Sequence, residues 1–244
     1  MTSDAPKTPE QVPGVPVEAR AAASSDDRVA AALRGFGPLG ILAMLVILLV
    51  GNYPVAPLSA ILALVWVRWS RTPWREIGYV RPRSWTATAA DGIAVGIAFK
   101  FLMKSIVMPL LGADPINHAF HYLAGNTAAL PGTIVMMIVV AGFGEETLFR
   151  GYLFERFGKC FGSGVWGRTA IVLITSVLFG LAHYSVQGLA GTEQATIVGL
   201  VYGTIFTLTG RIWMLMVAHA AFDLAAVAII YWDLETRVAH LVFK

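Results

Sequence analysis

Ionisable side chains occur inside three otherwise apolar stretches of this sequence. A charged residue at the centre of a membrane span costs about 2.5–3.5 kcal/mol on insertion scales, so such residues usually face the bundle interior and carry a function. Carboxylates and imidazoles together favour acid–base chemistry, and hydrolysis in particular. The side chains concerned are Glu145, Glu146, Arg150, His183, His219 and Asp223.

Helical spacing predicts the partners within each stretch. Glu146 precedes Arg150 by one helical turn, and His219 precedes Asp223 by the same interval, so each pair lies on one helical face. Glu145 is rotated by about 100° from Glu146 and has no cation in its own helix. We therefore interpret Glu146 and Arg150 as a supporting ion pair that aims Glu145, the carboxylate left free for chemistry.

Two chemistries fit this set, and the residue types do not choose between them. In the first, a partly desolvated Glu145 acts as general base toward water, while His183 shares that water or protonates the leaving amine. His219 then donates a hydrogen bond to the developing oxyanion, with Asp223 behind it fixing the tautomer. In the second, Glu, His and His bind zinc as three protein ligands with an open position. No cofactor is certain, and zinc is the one that these residues would hold.

The composition indicates the class of protein that must position these groups. Hydrophobic residues make up 57% of the 244-residue chain and charged residues only 14%, whereas soluble domains carry about 25% charged residues. Every backbone donor and acceptor must be paired within hydrocarbon, so apolar blocks of this kind become helices. The sequence therefore predicts an all-α, polytopic transmembrane helix bundle. The small formal net charge of +3 gives no reason to expect a nucleic-acid partner.

Apolar blocks of span length follow one another after residue 32, and we expect about seven spans, with six and eight as the limits. Residues 1–32 contain no apolar run, which predicts a disordered cytoplasmic N-terminal tail ahead of a transmembrane helical domain at 33–244. The blocks run from about Leu33 to Val50, Val55 to Trp69, Ala87 to Leu111, Thr133 to Phe157, Thr169 to His183, Ala195 to Thr209 and Ile212 to Trp232.

The positions of Lys and Arg predict the orientation of the bundle. The loop from Arg68 to Arg83 is the most basic in the chain and Trp residues flank it, so we place it in the cytoplasm. Segments 112–132 and 184–194 contain neither Lys nor Arg and are placed outside. The expected location is a bacterial inner membrane, with the N-terminus in the cytoplasm.

Depth within the bilayer provides an independent test of the site. With a rise of about 1.5 Å per residue from the cytoplasmic end of each predicted span, Glu145 and Asp223 lie roughly 18 Å deep, His183 roughly 22 Å and His219 roughly 12 Å. Residues from separate spans therefore reach one layer between the inner leaflet and the midplane. This agreement favours a functional site over isolated polar residues that stabilise helix packing.

Other polar residues receive structural interpretations. Lys100 and Lys104 are expected to extend toward the outer interface or to balance nearby carbonyl groups. His118 and His121 are expected to be loop residues, because their spacing is weak evidence for a metal site. The Glu-Arg pair at 155–156 falls where a span leaves the membrane and is expected to be solvated. The single cysteine of the chain, at position 160, excludes an intrachain disulfide and a cysteine-based zinc site.

Three motifs, in order and on separate spans, carry a resemblance to a known family. This pattern resembles the signature of the CPBP family, which contains the type II CAAX prenyl endopeptidases and the bacterial Abi proteins linked to bacteriocin immunity. The resemblance covers about residues 131–232, and Asp223 stands where the eukaryotic processing enzymes usually have Asn. The motifs are Glu145-Glu146-x-x-x-Arg150 followed by Gly151-Tyr152-Leu153, then Phe179-x-x-x-His183, then His219-x-x-x-Asp223, with a similar preceding loop at Gly78-Tyr79-Val80-Arg81-Pro82-Arg83.

The resemblance implies an intramembrane endopeptidase that acts on a membrane-associated protein or peptide. Carried over by position, Glu145 activates water with the help of His183. His219 and Asp223 form the oxyanion site, and the Glu146–Arg150 pair supports it. The family has been described both as metal-dependent and as glutamate-based. The implied cut lies near the C-terminal side of a prenylated Cys in eukaryotes, and the substrate of a bacterial relative stays open.

Two other functions compete with the protease. A non-catalytic immunity or partner-binding membrane protein would keep the polar network for stability, and its biological phenotype would survive replacement of Glu145. A transporter or proton path would use buried carboxylates and histidines as a relay. We expect the relay to be the weaker hypothesis, because few polar groups continue from the layer to the outer face.

Overall fold

The computed structural model describes residues 24–49 and 56–243 of the chain. These residues are helical nearly throughout and contain no β-strand, which confirms the predicted all-α class. The helices are α1 (Ser25–Arg34), α2 (Pro38–Leu49), α3 (Ala56–Trp69), α4 (Trp85–Leu110), α5 (Leu130–Phe161), α6 (Val165–Thr209), α7 (Trp213–Tyr231) and α8 (Glu235–Ala239).

The apolar helices have the lengths that a membrane requires. Four of them, α4 to α7, are long and apolar enough to cross a bilayer, and α1 with α2 makes a fifth candidate if this pair, bent by 59°, is one broken span. Helix α3 is apolar but shorter. A helical membrane bundle is thus confirmed, and the count of about seven spans stays a prediction.

The 45-residue helix α6 reverses its direction at Gly188. Gly188 has φ 63° and ψ −158°, a conformation that residues with a Cβ rarely adopt. The two arms then run antiparallel and pack closely. A Cβ on Gly199 of the second arm would lie only 2.8 Å from Ser176 Cα of the first arm. The prediction of a loop at 184–194 is therefore wrong. Helical backbone continues on both sides of a reversal at one glycine, which no periodicity in the sequence marks.

Glycines on α4 allow α7 to pack closely against it. A Cβ on Gly92 would lie 2.7 Å from Val217 Cβ, and a Cβ on Gly96 would overlap the carbonyl oxygen of Ala218. Small residues permit such close approach of two helix backbones in a membrane protein. Because His219 follows Ala218 directly, this contact fixes the height of α7 and of the motif that it carries.

The N-terminal region differs in part from the predicted disordered tail. Residues 1–23 lie outside the described residues, but Ser25–Arg34 is helical, so the prediction is wrong for residues 25–32. The Ser24 hydroxyl accepts a hydrogen bond from Asp27 N, and the Asp27 carboxylate accepts one from Ser24 N. This capping box satisfies backbone donors at the helix start and overrides the polar composition that suggested disorder.

Arg156 joins α1 to the end of α5 and corrects a second expectation. Its side chain and that of Glu155 are buried, with 1% and 6% exposure, rather than solvated. The guanidinium donates to the carbonyl oxygens of Leu33 and Arg34 over 3.3 and 2.7 Å. It also lies 4.9 Å from the centroid of the Trp66 ring. Helix α1 therefore covers this end of α5 and removes the pair from solvent.

The bundle has two distinguishable ends. At one end the rings of Tyr79 and Trp213 meet edge to face, with centroids 5.0 Å apart. At the other end the segment after α4 meets the turn of α6 and α8, and the backbone N–H of Asn117 donates to Glu235 over 2.7 Å. We call this second end the α6-turn end. The polar motifs lie between the two ends, inside a core that α4, α6 and α7 form together.

Candidate active site

Three helices bring the motif residues into one region. Helix α5 is π-helical over Met137–Glu145 and again over Thr147–Leu153, so its motif does not lie in the regular α-helix that the sequence predicted. Such π-turns are frequent at functional sites. A Cβ on Gly142 would lie 2.8 Å from the carbonyl oxygen of Met216, so this glycine lets α5 approach α7 closely.

At the centre of the site, the buried carboxylate of Glu146 contacts both Arg150 and His219. Arg150 Nη1 donates to Glu146 Oε1 over 2.9 Å, as the one-turn spacing predicted. His219 Nδ1 lies 2.7 Å from the same oxygen. The side chains of Glu146, Arg150 and His219 are 0%, 2% and 5% exposed. A charge-assisted bond in such a dry environment fixes both partners firmly.

Aromatic rings complete the surroundings of the guanidinium. The Arg150 guanidinium carbon lies 4.6 Å from the ring centroid of Phe179 and 5.8 Å from that of Tyr202. Both rings also contact the imidazole of His219, with centroids 5.8 and 5.9 Å away. Arginine over an aromatic face is attracted by the ring quadrupole. The two aromatic residues therefore hold Arg150 and His219 from the side of α6.

The Nε2 edge of His219 faces the more open side of the site. His219 Nε2 lies 3.7 Å from Glu145 Oε2 and 3.7 Å from Asp223 Oδ2. These distances are too long for hydrogen bonds but within reach of charge interaction. The Glu145 and Asp223 side chains are 19% and 24% exposed, in contrast to the fully buried Glu146. Among the described residues, Glu145 Oε2 has no hydrogen-bond partner.

His183 approaches this open side from the first arm of α6. Its Nδ1 lies 2.8 Å from the carbonyl oxygen of Phe179, and its ring packs edge to face on the Phe179 ring at 4.7 Å. A donor at Nδ1 leaves Nε2 as the ring nitrogen that can accept. His183 and Glu145 lie close enough for electrostatic interaction, which places both at the same side of the site.

The structure changes one predicted relationship. The sequence placed Asp223 behind His219 to fix its tautomer, but the carboxylate at hydrogen-bond distance from His219 is Glu146. The physical reason is that π-helical turns and the close approach of α5 to α7 bring Glu146 to the imidazole, a contact that in-helix spacing cannot show. The structure adds distances between the motif residues. The catalytic roles stay predictions for Glu145, His183, His219 and Asp223.

The two lysines of α4 turn inward, and Lys104 meets a carbonyl oxygen, which was one of the two expected arrangements. Lys100 is 5% exposed and donates to Gln194 Oε1 over 3.2 Å, with its ammonium 4.7 Å from the Phe222 ring centroid. Lys104 donates to the carbonyl oxygen of Pro115. Both side chains line a cavity of about 260 Å³ at the α6-turn end. They turn inward because α6 and the segment after α4 offer acceptors there.

Polar groups therefore continue beyond the motif layer, contrary to the expectation from the sequence. The charges of Asp223 and Lys100 act on each other, and Lys104 lies 3.9 Å from Glu235 Oε1. Glu235 also faces His121 Nδ1 at 2.8 Å. His121 is thus part of a polar network with α8, whereas its neighbour in the predicted loop, His118, pairs with an exposed aspartate.

Two tyrosines near the site were absent from the predicted set. Tyr79 Oη lies 2.7 Å from Thr147 Oγ1, next to Glu146 in the chain. Burial raises the pKa of the Tyr79 phenol, and the hydrogen bond to Thr147 opposes that shift. The similarity of the loop around Tyr79 to the region before the family core was a signal for it. Tyr202 lies outside every motif, and its position carried no signal.

The metal alternative can be compared with this geometry. Within residues 24–49 and 56–243, no group of three or more His, Cys, Asp or Glu side chains has the arrangement of a metal site. One nitrogen of each candidate histidine faces an oxygen of the protein, Glu146 for His219 and Phe179 for His183, which leaves Nε2 of each ring free and is also the usual surroundings of a metal-bound imidazole. Zinc stays a sequence-based prediction, and no step below runs through a metal.

Comparison with known proteins adds an independent finding. Residues 127–225 match the family described as Rce1-like, type II CAAX prenyl endopeptidase Rce1-like. The chain is also similar to an uncharacterized 24.3 kDa protein of Escherichia coli, with 26% identity over 136 residues, which are 48% of this chain and 61% of that protein. The chain thus spans less than two thirds of this curated relative. No solved structure matches the chain.

The family match confirms the resemblance that the three motifs carried. It overlaps the predicted core at 131–232 and contains all six motif residues, including those of the π-helical segment and of α7. Residues 127–225, which carry the motifs, are therefore similar to the Rce1-like type II CAAX prenyl endopeptidases. Together with the apolar helices, this match points to an integral membrane protein.

Proposed function

We propose that the protein is an intramembrane endopeptidase that hydrolyses a peptide bond with a water activated by Glu145. The observation that carries the proposal is the contrast between two adjacent carboxylates. Each has one oxygen, Oε2, without a partner among the described residues, but Glu146 is fully buried and its Oε1 serves Arg150 and His219. The Glu145 side chain is 19% exposed, and its Oε2 lies 3.7 Å from His219 Nε2 on the open side of the site. A general base must lie within hydrogen-bond reach of the proton that it abstracts, either directly or through one water.

The proposed reaction assigns each proton and bond. Glu145 takes a proton from water as the water oxygen forms a bond to the scissile carbonyl carbon, and the carbonyl π electrons move to the oxygen. The proton then passes from Glu145 to the leaving nitrogen as the C–N bond breaks. His183, with Nδ1 directed to Phe179 O, offers Nε2 to orient the same water. The products are a carboxylic acid and an amine, which become carboxylate and ammonium when the acid proton passes to the amine.

Glu146 and Arg150 serve this reaction by positioning His219. The hydrogen-bond distance between Glu146 Oε1 and His219 Nδ1 fixes the ring orientation, so that Nε2 faces the space shared by Glu145 and Asp223. Orientation of an imidazole by a buried carboxylate is a general device of acid–base sites. We propose that His219 Nε2 faces the developing oxyanion when the ring is doubly protonated.

The proposed substrate is a membrane-associated protein or peptide. The family name refers to prenylated C-terminal sequences, and the site lies among helices of membrane-spanning length. We propose a location in a bacterial inner membrane with a cytoplasmic N-terminus, on the basis of the basic loop that precedes α4. A prenyl group on the substrate is one form of membrane attachment, and the assay below compares it with an unprenylated peptide.

The test uses the full chain, purified in detergent, with an internally quenched peptide that ends in Cys-aliphatic-aliphatic-Ser, in farnesylated and unmodified forms. We expect wild-type protein to cleave one of them and Glu145→Gln to lose about 10²–10⁴-fold in rate, the usual value of a general base. Glu76→Gln, at an exposed glutamate away from the site, is the matched control. Equal rates for wild type and Glu145→Gln, with both proteins folded, would reject the proposal in favour of the non-catalytic partner-binding protein.

A further inference from the structure

Tyr202 carries a polar group that the proposed reaction has not used. The residue lies on the second arm of α6 and is fully buried, with 0% exposure. Its hydroxyl has no hydrogen-bond partner among the described residues. Buried hydroxyls are nearly always bonded, so an exception in a native protein requires an explanation. One explanation is a partner that is present only during the reaction.

The position of Tyr202 is that of a group belonging to the site. Its ring centroid lies 5.9 Å from the His219 ring and 5.8 Å from the Arg150 guanidinium carbon. The charges of Glu146 and Asp223 both act on its hydroxyl. The phenol therefore lies in the same layer as the motif residues, on the α6 side of the imidazole.

The chemistry of Asp223 leaves a donor missing from the oxyanion site. An ionised aspartate only accepts hydrogen bonds, so its carboxylate cannot donate one to a negative oxygen. His219 Nδ1 is already directed to Glu146, and Nε2 faces carboxylate oxygens of Glu145 and Asp223 at 3.7 Å each. A negative oxygen developing beside the Asp223 carboxylate, after Glu145 has taken its proton, needs a further donor, and a neutral hydroxyl brings no additional charge into the bundle.

We infer that the Tyr202 hydroxyl donates a hydrogen bond to the oxyanion of the tetrahedral intermediate and so supplies the donor that Asp223 cannot be. The inference rests on the proposed peptide hydrolysis. Tyr202 keeps its proton throughout, because the negative charge forms on the substrate oxygen when water adds and disappears when the C–N bond breaks. This explains why the Tyr202 hydroxyl has no partner among the described residues when no substrate is bound.

Tyr202→Phe tests the inference with the loss of a single oxygen atom. One oxyanion donor is worth about 10²–10³ in kcat, so we expect a fall of that size with KM changed by less than about twofold. The ring contacts to Arg150 and His219 remain, and the midpoint of thermal unfolding should not decrease. The same quenched peptides and detergent-purified full chain are used as for Glu145→Gln.

Tyr152→Phe is the matched control. Tyr152 is also buried, with 1% exposure, and its hydroxyl also lacks a partner among the described residues. Its ring, however, packs on Trp66 of α3 with centroids 5.0 Å apart, rather than on the motif histidine. We expect Tyr152→Phe to keep the kcat of wild type, which separates a role of Tyr202 in the reaction from a general effect of buried phenols.

Asp223→Asn supplies the decisive comparison. The amide of this variant can donate to the oxyanion, so the loss of the Tyr202 hydroxyl should matter less there. We expect the factor by which Tyr202→Phe lowers kcat to be smaller by about tenfold or more in the Asp223→Asn background than in wild type. Coupled groups show such non-additivity, while independent groups do not. A purely structural role of Tyr202 would reduce kcat by the same factor in both backgrounds.

The outcomes separate this inference from the proposed function. An active wild type with equal kcat for Tyr202→Phe and Tyr152→Phe overturns the inference and leaves the proposed hydrolysis in place. Equal losses in the two backgrounds, or a loss that follows a lower unfolding midpoint, overturn it as well. A folded wild type that cleaves neither peptide overturns the proposed function, and the inference with it.

Discussion

Two polar clusters lie in the same bundle and are partnered in opposite ways. In the motif cluster, one Glu146 oxygen serves both Arg150 and His219, at 2.9 and 2.7 Å. In the α4 cluster, Lys100 makes one hydrogen bond, to Gln194, and lines a cavity together with Lys104. An ammonium has three N–H groups, so among the described residues Lys100 keeps donors that no protein acceptor satisfies.

The difference teaches how a membrane bundle keeps charges in its interior. A buried charge is tolerated when another charge and hydrogen bonds replace its hydration, or when it keeps access to a polar space. The motif cluster relies on the first solution, with opposite charges in direct contact, although Glu146 Oε2 and Arg150 Nη2 have no hydrogen-bond partner among the described residues. The α4 cluster uses the second, since the cavity beside Lys100 can hold water or a polar ligand. Replacement of one member should thus cost far more in the motif cluster.

Arg150→Met should have the largest effect. It removes the cation beside Glu146, and an unpaired buried charge costs about 3–5 kcal/mol. We expect that loss in the free energy of unfolding, measured by chemical denaturation in detergent micelles. Arg168→Met, at an exposed arginine near the start of α6, is the control and should stay near wild type. A loss below about 1 kcal/mol for Arg150→Met would contradict the comparison, since that is the value of a surface pair.

Gly96→Ala should have the next largest effect, and it perturbs geometry without changing charge. The new Cβ would overlap the carbonyl oxygen of Ala218, so α7 must shift, and overpacking of this kind costs about 1–3 kcal/mol. Because His219 follows directly, we expect peptide cleavage to decrease as well. The control is Gly132→Ala, where a Cβ meets nothing within 4 Å and a helix former replaces glycine. Equal unfolding midpoints for the two variants would show that the α4–α7 contact is not tight.

Lys100→Met should change stability less than either of these. Methionine fills a similar volume, and the lost bond to Gln194 is offset because an ammonium no longer has to be desolvated. We expect a change of roughly 1 kcal/mol or less in the free energy of unfolding. A loss as large as that of Arg150→Met would mean that both clusters are equally structural and would remove the contrast between them.

The smallest effect on stability is expected at the exposed pair Asp114–His118. The backbone N–H of Ile116 and then the His118 side chain hold the pKa of the Asp114 carboxyl below its usual value. A lowered carboxyl pKa stabilises the folded protein above the ordinary value near 4, and this contribution is lost as the pH falls through the lowered value. Because the pair is exposed, this contribution is small, and we expect Asp114→Asn to lower the unfolding midpoint at pH 7 by less than any test variant above. A decrease as large as that of Gly96→Ala would show that this surface pair matters to the fold.

Much of the bundle follows from local properties of the sequence. Apolar blocks without charge form helices because lipid offers no partner for backbone polar groups, and this explains the all-α class. The Glu146–Arg150 pair follows from one-turn spacing, which needs no knowledge of neighbouring helices. The order of the three motifs was also sufficient to identify the family that residues 127–225 match.

Other features were decided only by the tertiary structure. The reversal at Gly188, the burial of Lys100 and the approach of Glu146 to His219 all depend on how neighbouring helices rotate and how closely they pack. Tyr202 shows this most directly, because a tyrosine in an apolar span resembles any core aromatic until its neighbours are known. The sequence by itself determined which side chains could react and on which helices they lie. Packing between α5, α6 and α7 decided which carboxylate orients the imidazole and which one is left open toward the proposed substrate, because such contacts join residues far apart in the chain.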